Sequence, residues 1–219
     1  MKLLLTSCGI TNQSIAKALF ELVGKIPAET RICFIPTAMN ATIGDKSWFV
    51  NDLMNLKNLN LKFLDIVDIS AVPKNVWMQK IGEADVMFFS GGNTTHLMRV
   101  MKESGFLEEL PKLLENKVYA GISAGSVACA SDLRMSGKSL KEYYKKEFGY
   151  ENEEGLNLVD FYFAGHFNSK SFPERNEDNY REIAKSLDKT LYALDDNSAL
   201  KIIDNNIEVV SEGEWLKFN

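Results

Sequence analysis

The feature that most constrains the fold is an alternation along the chain: apolar runs of four to seven residues are separated by longer amphipathic segments. Strands buried on both faces read as continuous apolar runs, and crossover helices between them carry apolar residues at three- and four-residue spacing. The combination points to parallel strands joined by covering helices, an α/β architecture. Residues 3–6, 31–35, 61–66, 86–89 and 118–122 are the expected central strands, and 13–23, 46–56 and 95–101 the expected helices. Thr11-Asn12 and Thr94 supply helix caps.

The rhythm breaks after residue 122. Residues 131–157 are polar and contain Gly137, Lys145-Lys146 and Glu153-Glu154-Gly155, as a surface insertion or a lid would. Regularity resumes with strands expected at 158–164 and 191–194 and a helix near 177–187. Residues 199–203 and 207–210 then pair across Asp204-Asn205-Asn206 as a C-terminal hairpin. With 219 residues, 45% apolar and 25% charged, the chain is expected to build one domain, 1–219, around one sizeable core.

Charge and cysteine content narrow the partners. Twenty-five basic against 30 acidic residues leave a formal charge of -5, which argues against an electrostatic grip on nucleic acid or anionic lipid. Three widely spaced cysteines, Cys8, Cys33 and Cys129, fit neither a disulfide framework nor a zinc site. Neither a signal peptide nor a membrane span is apparent, so a cytoplasmic location is expected. Trp48, Trp77 and Trp215 are read as packing residues, with a homodimer interface as the alternative.

Two loops carry the chemistry. Gly121-Ile122-Ser123-Ala124-Gly125 follows an apolar strand and precedes a run of small residues. This is the layout of a nucleophile elbow, in which a serine on a sharp strand-to-helix turn projects its hydroxyl above the sheet. Ser90-Gly91-Gly92-Asn93 also follows a strand and opens a helix, so its amides could stabilise an oxyanion or hold a phosphate. It lacks the P-loop lysine and the G-x-G-x-x-G spacing, which disfavours a nucleotide. The chain has only two histidines. His96 lies within a helix, whereas His166 follows a strand end, where open α/β sheets gather functional groups, and is the better base. The acid is open among Asp196, Asp195 and Asp132. The order Ser, His, Asp differs from the Ser, Asp, His of α/β-hydrolases.

Taken in order, Leu5-Thr6-Ser7-Cys8-Gly9, Phe34-Ile35-Pro36-Thr37-Ala38, Ser90-Gly91-Gly92-Asn93, Gly121-Ile122-Ser123-Ala124-Gly125-Ser126 and Gly165-His166-Phe167 resemble the peptidase E family, which includes aspartyl dipeptidases and is related to cyanophycinases. The resemblance spans nearly the whole chain. It implies a three-layer, flavodoxin-like, mostly parallel sheet of the class I glutamine amidotransferase type, with helices on both faces. It implies Ser123 as nucleophile, His166 as base, Asp196 as the acid by similarity to cyanophycinases, and the Gly92 and Ala124 amides as oxyanion hole. The aspartyl dipeptidase branch instead favours an acid near Asp132. Arg175, beside Asn176, falls near that branch's substrate-binding arginine, and Asn93 joins it as an expected substrate-binding residue. Short peptides are the implied substrates. No metal or organic cofactor is called for, and a noncatalytic small-molecule-binding domain of the same fold is the alternative.

Overall fold

A computed structural model describes residues 1–219. Its strands are β1 (Lys2–Thr6), β2 (Arg31–Ile35), β3 (Phe63–Ile66), β4 (Val86–Phe89), β5 (Val118–Ile122), β6 (Tyr162–Ala164), β7 (Leu191–Leu194), β8 (Ser198–Ile203), β9 (Asn206–Ser211) and β10 (Trp215–Phe218). Its helices are α1 (Gln13–Val23), α2 (Thr37–Asn40), α3 (Ser47–Lys57), α4 (Lys74–Gly82), α5 (Thr94–Glu103), α6 (Phe106–Leu114), α7 (Ala124–Val127), α8 (Lys138–Phe148) and α9 (Glu177–Ala184).

Seven strands form a mixed sheet in the order β3-β2-β4-β5-β1-β8-β9. β3, β2, β4, β5 and β1 run parallel, and β8 and β9 extend the sheet antiparallel beyond β1. The alternation of side chains divides the core between the two faces. Leu3, Leu5, Met87, Phe89 and Tyr119 pack under α4 to α7. Leu4, Phe34, Phe88, Val118 and Ala120 pack under α1 and α3. This is the expected three-layer α/β architecture, and β8 with β9 is the expected hairpin, turning through Asp204, whose φ is 52°.

The structure differs from or adds to the expected elements at three places. The strand expected at 158–164 is confined to Tyr162–Ala164, because the amides of Leu156, Leu158 and Val159 instead donate to the carbonyls of Ala128 and Cys129 at the end of α7. β6 and β7 leave the main sheet and form a three-stranded sheet, β10-β7-β6, over a small core of Tyr162, Phe167, Tyr180 and Leu191. The polar insertion contains a full helix, α8, docked on α5 through Tyr144, which is 1% exposed.

The parallel pairing of β6 with β7 aligns Ala164 with Ala193. The residues just beyond both strands therefore emerge side by side, and the Phe167 amide donating to the Leu194 carbonyl (2.9 Å) locks the two exits together. That junction, the end of β5 and the loop after β1 frame the site.

Candidate active site

The elbow is built by close backbone approach. A Cβ at Gly121 would lie 2.6 Å from the Gly125 carbonyl carbon, and one at Gly125 would lie 2.8 Å from the Phe89 carbonyl oxygen, so both positions require glycine. Between them Ser123 adopts φ 45° and ψ -99°, a strained backbone for a residue with a side chain. The turn is held by the Ser123 amide donating to the Thr6 carbonyl (3.0 Å), the Thr6 hydroxyl donating to the Gly121 carbonyl (2.8 Å), and Ser126 Oγ within reach of both those carbonyls. Surroundings that over-determine a strained residue are typical of functional sites.

His166 meets this serine from the second sheet. Its Nε2 lies 3.0 Å from Ser123 Oγ, and its Nδ1 lies 2.6 Å from Asp196 Oδ1. The histidine too is left-handed, with φ 61°. Its ring stacks on Phe172 with centroids 4.8 Å apart. Of the three acids considered, the structure brings Asp196 to the imidazole. Asp195 is occupied by Ser198, the Asn197 amide and the Glu214 amide, and Asp132 by Arg134 and the Tyr162 hydroxyl. Burial works against ionisation of Asp196, but the hydrogen bond and charge of His166, the Ser7 hydroxyl and the Arg175 charge together hold its carboxyl below the usual carboxylate range.

Ser7 had no expected role. Fully buried at the end of β1, its Oγ accepts from the His166 amide (2.7 Å) and donates to the same Asp196 oxygen that faces the imidazole (2.7 Å). One hydroxyl thus ties the histidine's backbone to the carboxylate that orients its ring. The sequence signal was only a small polar residue at a strand's C-terminal end, which most α/β chains contain.

The glycine loop faces the serine. Gly92 has φ 137°, a conformation that favours glycine, and a Cβ there would fall on the Ala38 carbonyl. Its amide has no protein acceptor, and the Ala124 amide, first in α7, has none within the helix. Both residues line one narrow cavity with Ser123, Asn93, Leu140, Lys141 and Arg175. Asn93 is 1% exposed and already engaged: Oδ1 caps α5 by accepting from the His96 amide (3.0 Å), and Nδ2 donates to the Leu140 carbonyl of α8 (3.0 Å). Arg175 stacks on Phe172 and donates from Nη1 to the Gly165 carbonyl (2.9 Å). Its neighbour Asn176 caps α9 instead. His96 stands apart, with Nδ1 2.9 Å from the Tyr144 hydroxyl.

The model of peptidase family S51 matches residues 3–210. The chain belongs to peptidase family S51. Among its relatives is an uncharacterized peptidase of Listeria monocytogenes (Lmo0363), 30% identical over an alignment of 148 residues that covers 65% of this chain and 68% of that one. Another is peptidase E of a Nostoc species, 27% identical over 59% of this chain and 54% of that protein. The crystal structure of a putative peptidase E protein from Listeria monocytogenes superposes with a TM-score of 0.79 at 22% identity, covering 97% of this S51 chain and 98% of the other, and so shares the fold. No helix is long and apolar enough to cross a membrane.

Proposed function

We propose that this S51 peptidase is a serine-type hydrolase of short peptides, working through Ser123, His166 and Asp196. The observation that carries the reading is the unbroken hydrogen-bond chain from Ser123 Oγ through both imidazole nitrogens to Asp196, anchored on a strained elbow. Ser123 Oγ attacks the scissile carbonyl carbon while His166 Nε2 takes its proton. Asp196 accepts from Nδ1–H, fixes the tautomer and stabilises the imidazolium that forms. The tetrahedral oxyanion rests on the Gly92 and Ala124 amides. Collapse breaks the C–N bond, and the leaving amine departs with the proton from Nε2. Water then attacks the acyl-enzyme by the same steps in reverse, with His166 again as base.

The substrate side chain would lie in the cavity closed by α8, with Arg175 and Lys141 as its polar contacts. Asn93, its amide committed to α5 and α8, would contribute a wall and hold the loop that carries Gly92. The test is hydrolysis of a dipeptide and tripeptide panel, including Asp-Xaa members, beside labelling by a fluorophosphonate. Wild type should cleave and label, and Ser123→Ala should do neither. Equal labelling of both proteins would refute the assignment of the nucleophile. A folded wild type that cleaves nothing would favour a binding domain of the same fold.

A further inference from the structure

One carboxyl group near this site has no evident structural purpose. Asp52, on α3, is 4% exposed, and its Oδ2 is buried without a hydrogen-bond partner. Buried carboxyls are ordinarily paired or hydrogen-bonded, because desolvation of the charged form is otherwise uncompensated. Its position is also specific. A Cβ built at Gly9 would lie 3.5 Å from Asp52 Oδ1, so the carboxyl abuts the loop Ser7-Cys8-Gly9, whose first residue holds Asp196 and the His166 amide. One turn earlier on the same helix face, Trp48 reaches toward the glycine loop: a Cβ at Gly91 would lie 3.6 Å from both its Cζ3 and Ser123 Cβ. α3 therefore presents its Trp48–Asp52 face to the back of the candidate catalytic centre.

We propose that Asp52 is a positioning residue of the S51 site, a carboxyl whose negative charge, acting through the β1–α1 loop, strengthens the field that stabilises the His166 imidazolium as Ser123 attacks. The proposal rests on the reading of Ser123, His166 and Asp196 given above. Burial, and behind it the charge of Asp196, pushes the Asp52 carboxyl up to about 7. The other titratable group between the two acids is Cys8, whose thiol is pushed up to about 12 by burial and by Asp196 and Asp52, and which stays neutral near pH 7. Asp52 is thus neutral in mild acid and charged in mild base. An added negative charge favours the cationic imidazolium that forms on proton transfer, so acylation should quicken as Asp52 ionises.

The same argument fixes the sign for stability. A carboxyl raised in the folded state binds its proton more tightly there than when unfolded, so stability falls as pH rises from the ordinary carboxylate range through about 7, and the deficit persists above. A merely structural aspartate would do the opposite, and its removal would destabilise.

The test follows acylation by a fluorophosphonate from about pH 5.5 to about pH 8.5 in wild type and Asp52→Asn, with Asp52→Leu as a second uncharged replacement. The readout is the ratio of wild-type to variant rates. It should be near one in mild acid and roughly threefold or more in mild base, the scale of a unit charge acting across a partly hydrated site. Melting temperatures of the variants should equal or exceed wild type, with the gap widening toward pH 8. An activity-independent arm records carboxyl carbon-13 NMR in Ser123→Ala, where the signal missing from Ser123→Ala/Asp52→Asn is Asp52. Its midpoint should lie near neutrality and fall when Asp196→Asn is added. A flat rate ratio, or an Asp52 signal indifferent to Asp196, would overturn the proposal. If wild type fails to label at all, the peptidase reading falls and the NMR arm alone decides whether the two carboxyls are coupled.

Discussion

Ser7→Ala removes one oxygen atom and should disable much of the site. Two hydrogen bonds go with it, the donation to Asp196 Oδ1 and the acceptance from the His166 amide, each 2.7 Å long and formed by a fully buried side chain. A hydrogen bond to a charged group contributes about 1.5–3 kcal/mol, and a buried amide left unsatisfied costs about 1–3 kcal/mol. The second loss falls on a residue already strained at φ 61°, so His166 gains freedom to relax away from Ser123. If half to all of the first loss is felt in the transition state, kcat should fall roughly 3- to 150-fold, since about 1.4 kcal/mol is a factor of ten. KM should stay within about twofold, because neither bond touches the substrate cavity. The melting temperature should drop by roughly 4–8 °C if about 2 kcal/mol is lost from a chain of this length. The acid limb of the pH–rate profile should also move. Ser7 helps hold the Asp196 carboxyl low, so activity that is present above that ionisation and lost as pH falls through it should be lost at a higher pH in the variant. Steady-state kinetics on the best panel peptide across about pH 4 to 9 read all three effects. A folded Ser7→Ala protein with kcat within about twofold of wild type and an unmoved acid limb would refute the reasoning.

Gly92→Ala places a methyl group on the Ala38 carbonyl in a backbone conformation that favours glycine, so the loop must shift. Loss of the proposed oxyanion donor predicts a kcat roughly 10²- to 10³-fold lower with native circular dichroism. Arg175→Met removes a charge that lowers Asp196 and a side chain that lines the cavity, so KM should rise and the acid limb should move to higher pH. Asp132→Asn is the control among the acids. Its carboxylate bonds Arg134 and Tyr162 rather than His166, so kcat should be unchanged within about twofold while thermal stability falls modestly, a loss that vanishes toward acid pH, where Asp132 is protonated in both states.

The central strands were legible because residues such as 86–89 and 118–122 are apolar without interruption, and only burial on both faces of a sheet explains such runs. Besides α8, hidden in a polar stretch, two long helices were not. α4 carries Trp77 and Ile81 among polar residues after Pro73, and α6 contains Pro111, a residue that ordinarily ends helices rather than sitting inside them. The second sheet was invisible for another reason: whether an apolar strand joins one sheet or another depends on backbone pairings, here the amides of residues 156–159 turning to α7, that leave no mark on composition. At the site, Ser123 and His166 announced themselves by their place after strands. The choice of Asp196 over Asp195 and Asp132 required the direction of each carboxyl in space, which residue type and spacing do not carry. Asp52 was hidden because an aspartate four residues after a tryptophan in an amphipathic segment reads as part of a solvated face until its burial is known.

The strand order also fixes when in synthesis the candidate site can be completed. Ser123 and the glycine loop come from the first 125 residues, but β6 and β7 bring His166 and Asp196 from far downstream, and Asp196 is made only after about nine-tenths of the 219 residues. Ser7, at the other end of the chain, has to wait 189 residues for its partner. A ribosome releases such a chain from its beginning. If Ser123, His166 and Asp196 act as proposed, the chain has no complete proton relay through most of its synthesis, and the ability to cut peptide bonds arrives as nearly the last event of its manufacture.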